Sequence, residues 1–370
     1  MRTLIISDLH IGMTKGNDVL RQSEGIEPLL EELKGADRLV LLGDTIEMRD
    51  GPVNTILAAA RPTLEKISSA LPAHAEVLVT AGNHDHALIS PYLQYAGHPL
   101  GLASDIPLAE AAPAARSFAQ MFTQPVSLKY PGIWLRDDVY AMHGHYADVH
   151  TTMPQMERLA AGVMSRLSSA IPKAAAEAED YERLQAPIYA WADSVGQHAP
   201  KGPAGPANGG YGAQAYALLQ GPEDRHPVVK RAVGVGFPLG LKAVSLALGP
   251  LSADLSSDNI RRSGISAVAE TVNRLGIKAK HVISGHTHRA GPLPEDDPAE
   301  WITPSGIHMH NSGNWVYEKH FMPSPPYANS PYWPGTVLVL EDEGPPRLKR
   351  LLGDFPVEPD VIKNAPLRAG

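Results

Sequence analysis

"EVLVTAGNHDHALIS", residues Glu76–Ser90, starts as an apolar run and, from Gly82 on, becomes a string of metal-capable and proton-capable groups. Val77, Leu78 and Val79 read as a buried strand over Glu76–Thr80. Asn83, His84, Asp85 and His86 follow at once. Two other runs share this grammar. Thr3–Ile6 runs into "SDLH" with Asp8 and His10, and Arg38–Leu42 runs into "GDTIE" with Asp44 and Glu47. Polar loops at strand C-termini are where α/β folds usually place their sites.

Working outward, the spacing predicts amphipathic helices near Glu27–Lys34 and over Val53–Ala70, and further strands at Val126–Tyr130 and Val139–Met142. This alternation predicts an α/β layered domain. The character changes after about His150. Met156, Leu159, Val163 and Leu167 fall at helical spacing, as do Tyr181, Leu184, Ile188 and Trp191. A Pro/Gly-rich loop, Ala199–Gly212, and an apolar stretch broken by Gly and Pro, Val228–Leu251, follow. The stretch Val228–Leu251 reads as cap core or, less favoured, as a peripheral membrane surface. The α/β pattern resumes with a helix marked by Ile265, Val268, Val272 and Leu275, then the strand "KHVISG" and the loop "GHTH". "IHMHNSGNWVYE" (Ile307–Glu318) reads as two strands meeting at a turn, and "GTVLVLEDEGPPRLKRLL" (Gly335–Leu352) as a hairpin turning around Asp342–Pro346. The expected organisation is a first domain part over 1–149, a helical cap insertion over 150–263, a second domain part over 264–355 and a tail over 356–370.

Composition narrows the chemistry. Hydrophobic residues make up 43% of 370, enough for a sizeable core. The formal charge of −8 argues against a general nucleic-acid binder, so no DNA partner is expected. There is no cysteine, so thiolate chemistry is excluded and any metal must take N and O ligands. Leu4-Ile5-Ile6 is too short for a signal-peptide core, and no stretch has the length to span a bilayer; a cytoplasmic protein is expected.

The ligand-type residues at strand ends are Asp8 and His10, Asp44, Asn83 and His84, His143 and His145, His286 and His288. Residues two apart in an extended chain point to one side, so Asp8 with His10, and His286 with His288, can each aim two ligands at one place. So many mixed His, Asp and Asn groups suit a pair of divalent cations, Mn first and Fe or Zn next, better than a single ion. Two metals about 3.5–4 Å apart can clamp a phosphoryl group.

The ordered series Asp8-Leu-His10, Gly43-Asp44, Gly82-Asn83-His84-Asp85, His143 and Gly285-His286-Thr-His288 resembles the calcineurin-like metallophosphoesterase superfamily. The resemblance implies a four-layer α/β/β/α sandwich. It implies that Asp8, His10 and His288 hold one metal, that Asn83, His143 and His286 hold the other, and that Asp44 bridges them. It further implies in-line attack by a metal-bound hydroxide on a phosphorylated small-molecule or nucleotide-type substrate. His84 would act on the leaving-group oxygen, with Asp85 orienting its ring. "SDLHIG", "GDTIE" and "NSGNWVYE" resemble the branch around UDP-2,3-diacylglucosamine hydrolase, although His84 stands where that branch typically carries Arg. A non-catalytic scaffold and a DNA nuclease are the rival readings, and the filled ligand positions and acidic balance disfavour them.

Other histidines have plainer readings. His145 either braces a ligand or sits on a solvated loop, and His86 has no assigned role. Glu47 either bonds a ligand or is a helix-start acid. His308 and His310 are explained by alternation on a sheet face, and His281 reads as structural.

Overall fold

The structure is a computed structural model that describes residues 1–13, 16–95, 97, 99–150, 176–198, 257–318, 322 and 326–353. The expected loop 199–212, the apolar stretch 228–251, the helix marked by Met156 to Leu167 and the tail 356–370 lie outside the described residues.

Strands β1 (Thr3–Ile6), β2 (Arg38–Leu42) and β3 (Glu76–Thr80) form where the apolar runs predict them, and they pair in parallel with Thr3 opposite Arg38 and Arg38 opposite Glu76. Helix α1 (Ser23–Leu33) follows β1, and α2 (Val53–Ala70) follows β2. Helix α2 buries Ile56, Leu57, Ala60, Leu64 and Ile67, a stripe at three- and four-residue spacing, and stops before Pro72. Strand residues alternate between two faces. Leu4, Ile6, Leu39, Leu41, Val77 and Val79 share one core cluster with the buried face of α2. Ile5, Val40, Leu42 and Leu78 face the other way into a second cluster.

The rest of the mixed α/β fold comprises α3 (Ser90–Tyr95), β4 (Ala103–Ile106), α4 (Pro113–Ala119), β5 (Val126–Arg136), β6 (Val139–Met142), α5 (Ala178–His198), α6 (Ser257–Arg274), β7 (His281–Ser284), β8 (Ala290–Gly291), β9 (His308–Ser312), β10 (Thr336–Leu340) and β11 (Arg347–Arg350). The strand order is β11-β10-β1-β2-β3-β5-β6-β7-β9-β8, with β4 beside β5. Strand β5 is longer than the expected Val126–Tyr130. Its first residues pair in parallel with β3; past Pro131 it changes partner and pairs antiparallel with β6 from Gly132. The Pro-Gly pair read as a strand end is thus the point where the strand passes from one half of the sheet to the other. The second cluster joins those halves: Ile5, Val40, Leu338 and Leu340 pack with Ile133, Leu135, Val139 and Ile283. Each Leu or Ile so buried stabilises by roughly 1.5–3 kcal/mol.

The late hairpin forms as β10 and β11. "IHMHNSGNWVYE" supplies one strand, not two. After β9 the amides of Gly313 and Val316 donate to the side chains of Asn311 (2.9 Å) and Asn314 (2.8 Å). These local bonds replace a second ladder. β1, β2, β3, β6 and β7 run parallel within their halves, so the loops after them gather on one side of the molecule.

Candidate metal centre

Five ligand-type residues at these strand ends, Asp8, His10, Asp44, His286 and His288, have positive φ between 44° and 65°. They are the non-glycine residues with positive φ among the described residues. Side chains rarely adopt this region, and strain of this kind collects at functional sites. Backbone bonds hold the loops against one another: the amides of Asp8 and His10 donate to the carbonyls of Gly43 (3.1 Å) and Asp44 (2.9 Å). Gly82 permits the close approach. A Cβ there would meet the His143 Nε2 at 2.7 Å and crowd the Asp44 carboxylate.

The structure brings the predicted ligands together. Asp8, His10 and His288 form one group, Asp44, His143 and His286 form another, and His10, Asp44 and His84 form a third at the outer edge. Between them lies one oxygen, Asp44 Oδ2, 3.3 Å from His143 Nε2 and 3.7 Å from His10 Nε2. Asn83 Oδ1 is 3.2 Å from the same His143 nitrogen. His288 Nε2 is 3.5 Å from Asp8 Oδ1 and 3.2 Å from His10 Nε2.

Proton accounting decides what this arrangement needs. His10 Nδ1 is 2.8 Å from Glu47, His143 Nδ1 is 2.9 Å from the Leu42 carbonyl, and His288 Nδ1 is 3.4 Å from Glu318. Each of these partners only accepts, so each Nδ1 carries a proton and each ring turns its Nε2 inward. His10 and His288 therefore face each other Nε2 to Nε2, and the His143 Nε2 faces two oxygens, of Asp44 and Asn83. Nitrogens and oxygens converging in this way call for positive charge between them, from protons or from a cation. The protein's own charges say the same. Burial opposes a charge on His143, yet Asp44 and Asp8 outweigh it and raise its pKa to about 10. Protons thus gather where cations would sit, and metal binding must displace them.

His84 is the outermost imidazole, with 27% of its side chain exposed against 3% or less for His10 and His143. Its amide donates to Asp44 Oδ1 at 2.7 Å. The expected orienting bond from Asp85 is absent: the Asp85 carboxylate is occupied by the amides of Asp44 (3.2 Å), Thr45 (2.7 Å) and Gly82 (2.7 Å). Asp85 braces the loops that carry Asp44 and Asn83. Glu47 takes the role expected of Asp85, with both carboxylate oxygens 2.8 Å from His84 Nδ1. Burial works against charge on His84, and the Glu47 carboxylate overcomes it, raising the pKa to about 9. Glu47 is thus a ligand brace, and it serves His10 and His84 together. Glu47→Gln keeps the size and loses the charge. Metal affinity should fall about 10–100-fold, as for other residues that orient metal-binding histidines; calorimetric titration with Mn²⁺ checks this, and unchanged affinity would remove Glu47 from that role.

Sequence reading missed other supports. Asp148 Oδ1 is 2.8 Å from His286 Nε2, leaving Nδ1 as that ring's ligand atom. Asn314 Nδ2 donates to the His288 carbonyl at 2.7 Å, and the Trp315 amide donates to the Asp8 carbonyl at 3.0 Å. His145 is not on a solvated loop; it is 2% exposed, with Nε2 2.9 Å from the Tyr130 hydroxyl. Tyr130 gives its single proton to Glu182 on α5, so it accepts from His145. Glu182 also accepts from the Tyr146 hydroxyl at 2.6 Å and lies 3.0 Å from His86 Nε2. His86, without a role in the sequence, keys α5 to the site loops. No local signal could have paired it with a residue 96 positions away.

No curated protein matches the sequence. A solved structure that is similar is the cold-active protein-tyrosine phosphatase of a psychrophile, Shewanella sp., at 12% identity over 95% of this chain and 78% of that chain. Its TM-score of 0.30 carries no argument. A family profile does match, that of the calcineurin-like phosphoesterases, over residues 1–167. This span holds Asp8, His10, Asp44, Asn83, His84 and His143, and the fold adds His286 and His288 from beyond it. Residues 1–167, under half of the chain, are thus similar to the calcineurin-like phosphoesterases.

Proposed function

We propose that the protein hydrolyses a phosphate ester or pyrophosphate bond using two divalent cations. Asp8, His10 and His288 hold one, Asn83, His143 and His286 hold the other, and Asp44 bridges them. The observation that carries this reading is the convergence of imidazole nitrogens and carboxylate oxygens around Asp44 Oδ2. Bound cations supply Lewis acidity and a water made acidic enough to attack at neutral pH. Mixed imidazole and carboxylate donors without thiolate suit Mn, Fe or Zn, and we take Mn as the working ion.

The chain's own residues do the rest. Asp85 fixes the loop amides, and Glu47 fixes the His10 and His84 rings. His84, at the outer edge of the cluster, meets the leaving-group oxygen and neutralises or protonates it. The four-layer reading draws support from the apolar cluster shared by the two halves of the sheet. The cap reading draws support from α5, whose Gln197 donates to the carbonyls of Met48 (3.2 Å) and Gly51 (3.1 Å) beside the Asp44 loop. The substrate is a phosphorylated small molecule or nucleotide. The resemblance of Asn311–Glu318 to the nucleotide-lipid branch does not narrow it further. In this structure that segment braces Asp8 and His288, a task independent of substrate.

Protein stripped with a chelator should not hydrolyse bis-p-nitrophenyl phosphate, and Mn²⁺ should restore turnover. Sustained hydrolysis in excess chelator would sink the reading. In the restored enzyme, His84→Ala should slow esters of poor leaving groups more than activated ones at unchanged metal content. Metal loss in that variant would make His84 a ligand instead.

A further inference from the structure

A second histidine cluster lies at the other ends of the strands. His281 opens β7 and His308 opens β9, and the two are paired directly in the parallel register, with Ile283 opposite His310. Residues two apart share a face, and so do directly paired neighbours. His281, His308 and His310 therefore project from one face, the one on which Ile283 joins the apolar cluster between the halves of the sheet. Elsewhere this face is apolar, as at Ile133, Val139, Leu338 and Leu340. Here it carries three imidazoles.

Two of the three rings stand at the spacing of ligands on one metal, in a contact that a shared proton now fills. His281 Nδ1 and His310 Nε2 are 3.1 Å apart, and the His281 and His308 ring centres are 5.5 Å apart. Two nitrogens bound to one tetrahedral zinc at 2.0–2.1 Å are separated by about 3.3 Å. His310 is 9% exposed and its partner His281 is half-buried, so the pair is held in place. His308 is exposed beside His281, and its ring would have to turn to bring a third nitrogen onto that pair. Burial holds His281 below its ordinary pKa and His310 down at about 3, so both rings stay neutral and keep a lone pair for a cation. Asp138 adds negative charge near His281, partly offset by Arg136 and Lys280.

We propose that His281, His308 and His310 bind one divalent cation of the zinc class, separate from the Asp44 centre. Imidazole donors suit Zn, Cu and Ni, whereas the Asp44 centre, with its two carboxylates, also suits Mn. The ion would tie β7 to β9 through side chains as well as through the ladder. This site does not depend on the proposed hydrolysis.

The test counts and locates the ion. Protein saturated with Mn²⁺ is titrated with zinc, and a crystal of the same protein soaked in micromolar zinc is measured at the zinc absorption edge. The expected result is one added zinc per chain and an anomalous peak between the three rings. His281→Ala and His310→Ala should each weaken it by at least about tenfold, since even residues that merely orient a ligand cost that much. Mn²⁺-dependent hydrolysis should be unchanged in both variants. Zinc found only at the Asp44 centre, or at the three rings only at millimolar concentration, would overturn the proposal. The crystal measurement on unaltered protein decides the matter even if a variant does not fold.

Discussion

Asp44→Asn removes nearly all turnover while the protein still folds. The expectation follows from the place of one atom. Asp44 Oδ2 lies between His10 Nε2 and His143 Nε2, and Oδ1 accepts the His84 amide. Asn keeps an oxygen for the His84 amide but removes the negative charge, and its NH2 group points a donor where a cation belongs. Losing one preorganised group that stabilises developing charge costs about 10²–10³ in rate. Losing the charge proposed to join two cations should cost at least that. Asp44 is buried, and its carboxyl is held well below the usual carboxylate range: burial opposes the charge, but His143, His84 and His10 around it prevail. Steady-state hydrolysis of bis-p-nitrophenyl phosphate at saturating Mn²⁺ checks the expectation, with circular dichroism as the control for folding. Turnover within a few-fold of the parent would remove Asp44 from the bridging position.

Glu182→Ala is expected to have the largest effect on stability among changes outside the ligand set. One buried carboxylate accepts from Tyr130 and Tyr146 and pairs with His86. Truncation strands these donors in a place water does not reach. Each unmet buried donor costs about 1–3 kcal/mol, and breaking one side of a buried ionic network costs roughly 3–5 kcal/mol. Thermal unfolding should therefore move down by several degrees, and α5 should exchange its amides faster than β1 or β2. Glu182→Gln keeps an acceptor and should lose less. The pH dependence has a definite sign. Burial alone would raise the Glu182 pKa, but the His86 charge and the donated hydrogen bonds lower it below its ordinary 4.5. A depressed carboxylate contributes fully above that value, and the contribution is lost as pH falls through the lower folded value. The gap between parent and Glu182→Ala should be present at neutral pH and shrink in acid. Coincident melting curves at neutral pH would mean that α5 is not held by Glu182.

Much of the fold and most of the ligand set could be read from the sequence because their signals are local. An apolar run followed at once by Asp or His places a ligand at a strand end, and β1, β2, β3 and β6 begin and end where those runs do. What stayed hidden depends on distance in sequence. Asp85 follows His84 directly, which made it the natural partner for that ring. Its carboxylate instead satisfies three amides whose positions only the paired loops define, and Glu47, 37 residues away, reaches the ring. His86 and His145 found their partners on α5 and in the middle of β5. Strand β5 was read short because Pro131 and Gly132 look like a stop, whereas here they mark a change of partner. Asn311 and Asn314 turned an expected second strand into a brace for the ligand loops.

The central claim is that two cations share the Asp44 carboxylate. Electron paramagnetic resonance of the Mn²⁺-loaded protein tests it most directly, because two Mn²⁺ ions joined by a common bridge couple their spins. Protein loaded with two equivalents should give the many-line spectrum of a coupled pair, and Asp44→Asn should reduce it to the six lines of isolated ions. A spectrum of isolated ions alone from the fully loaded parent protein would contradict the account.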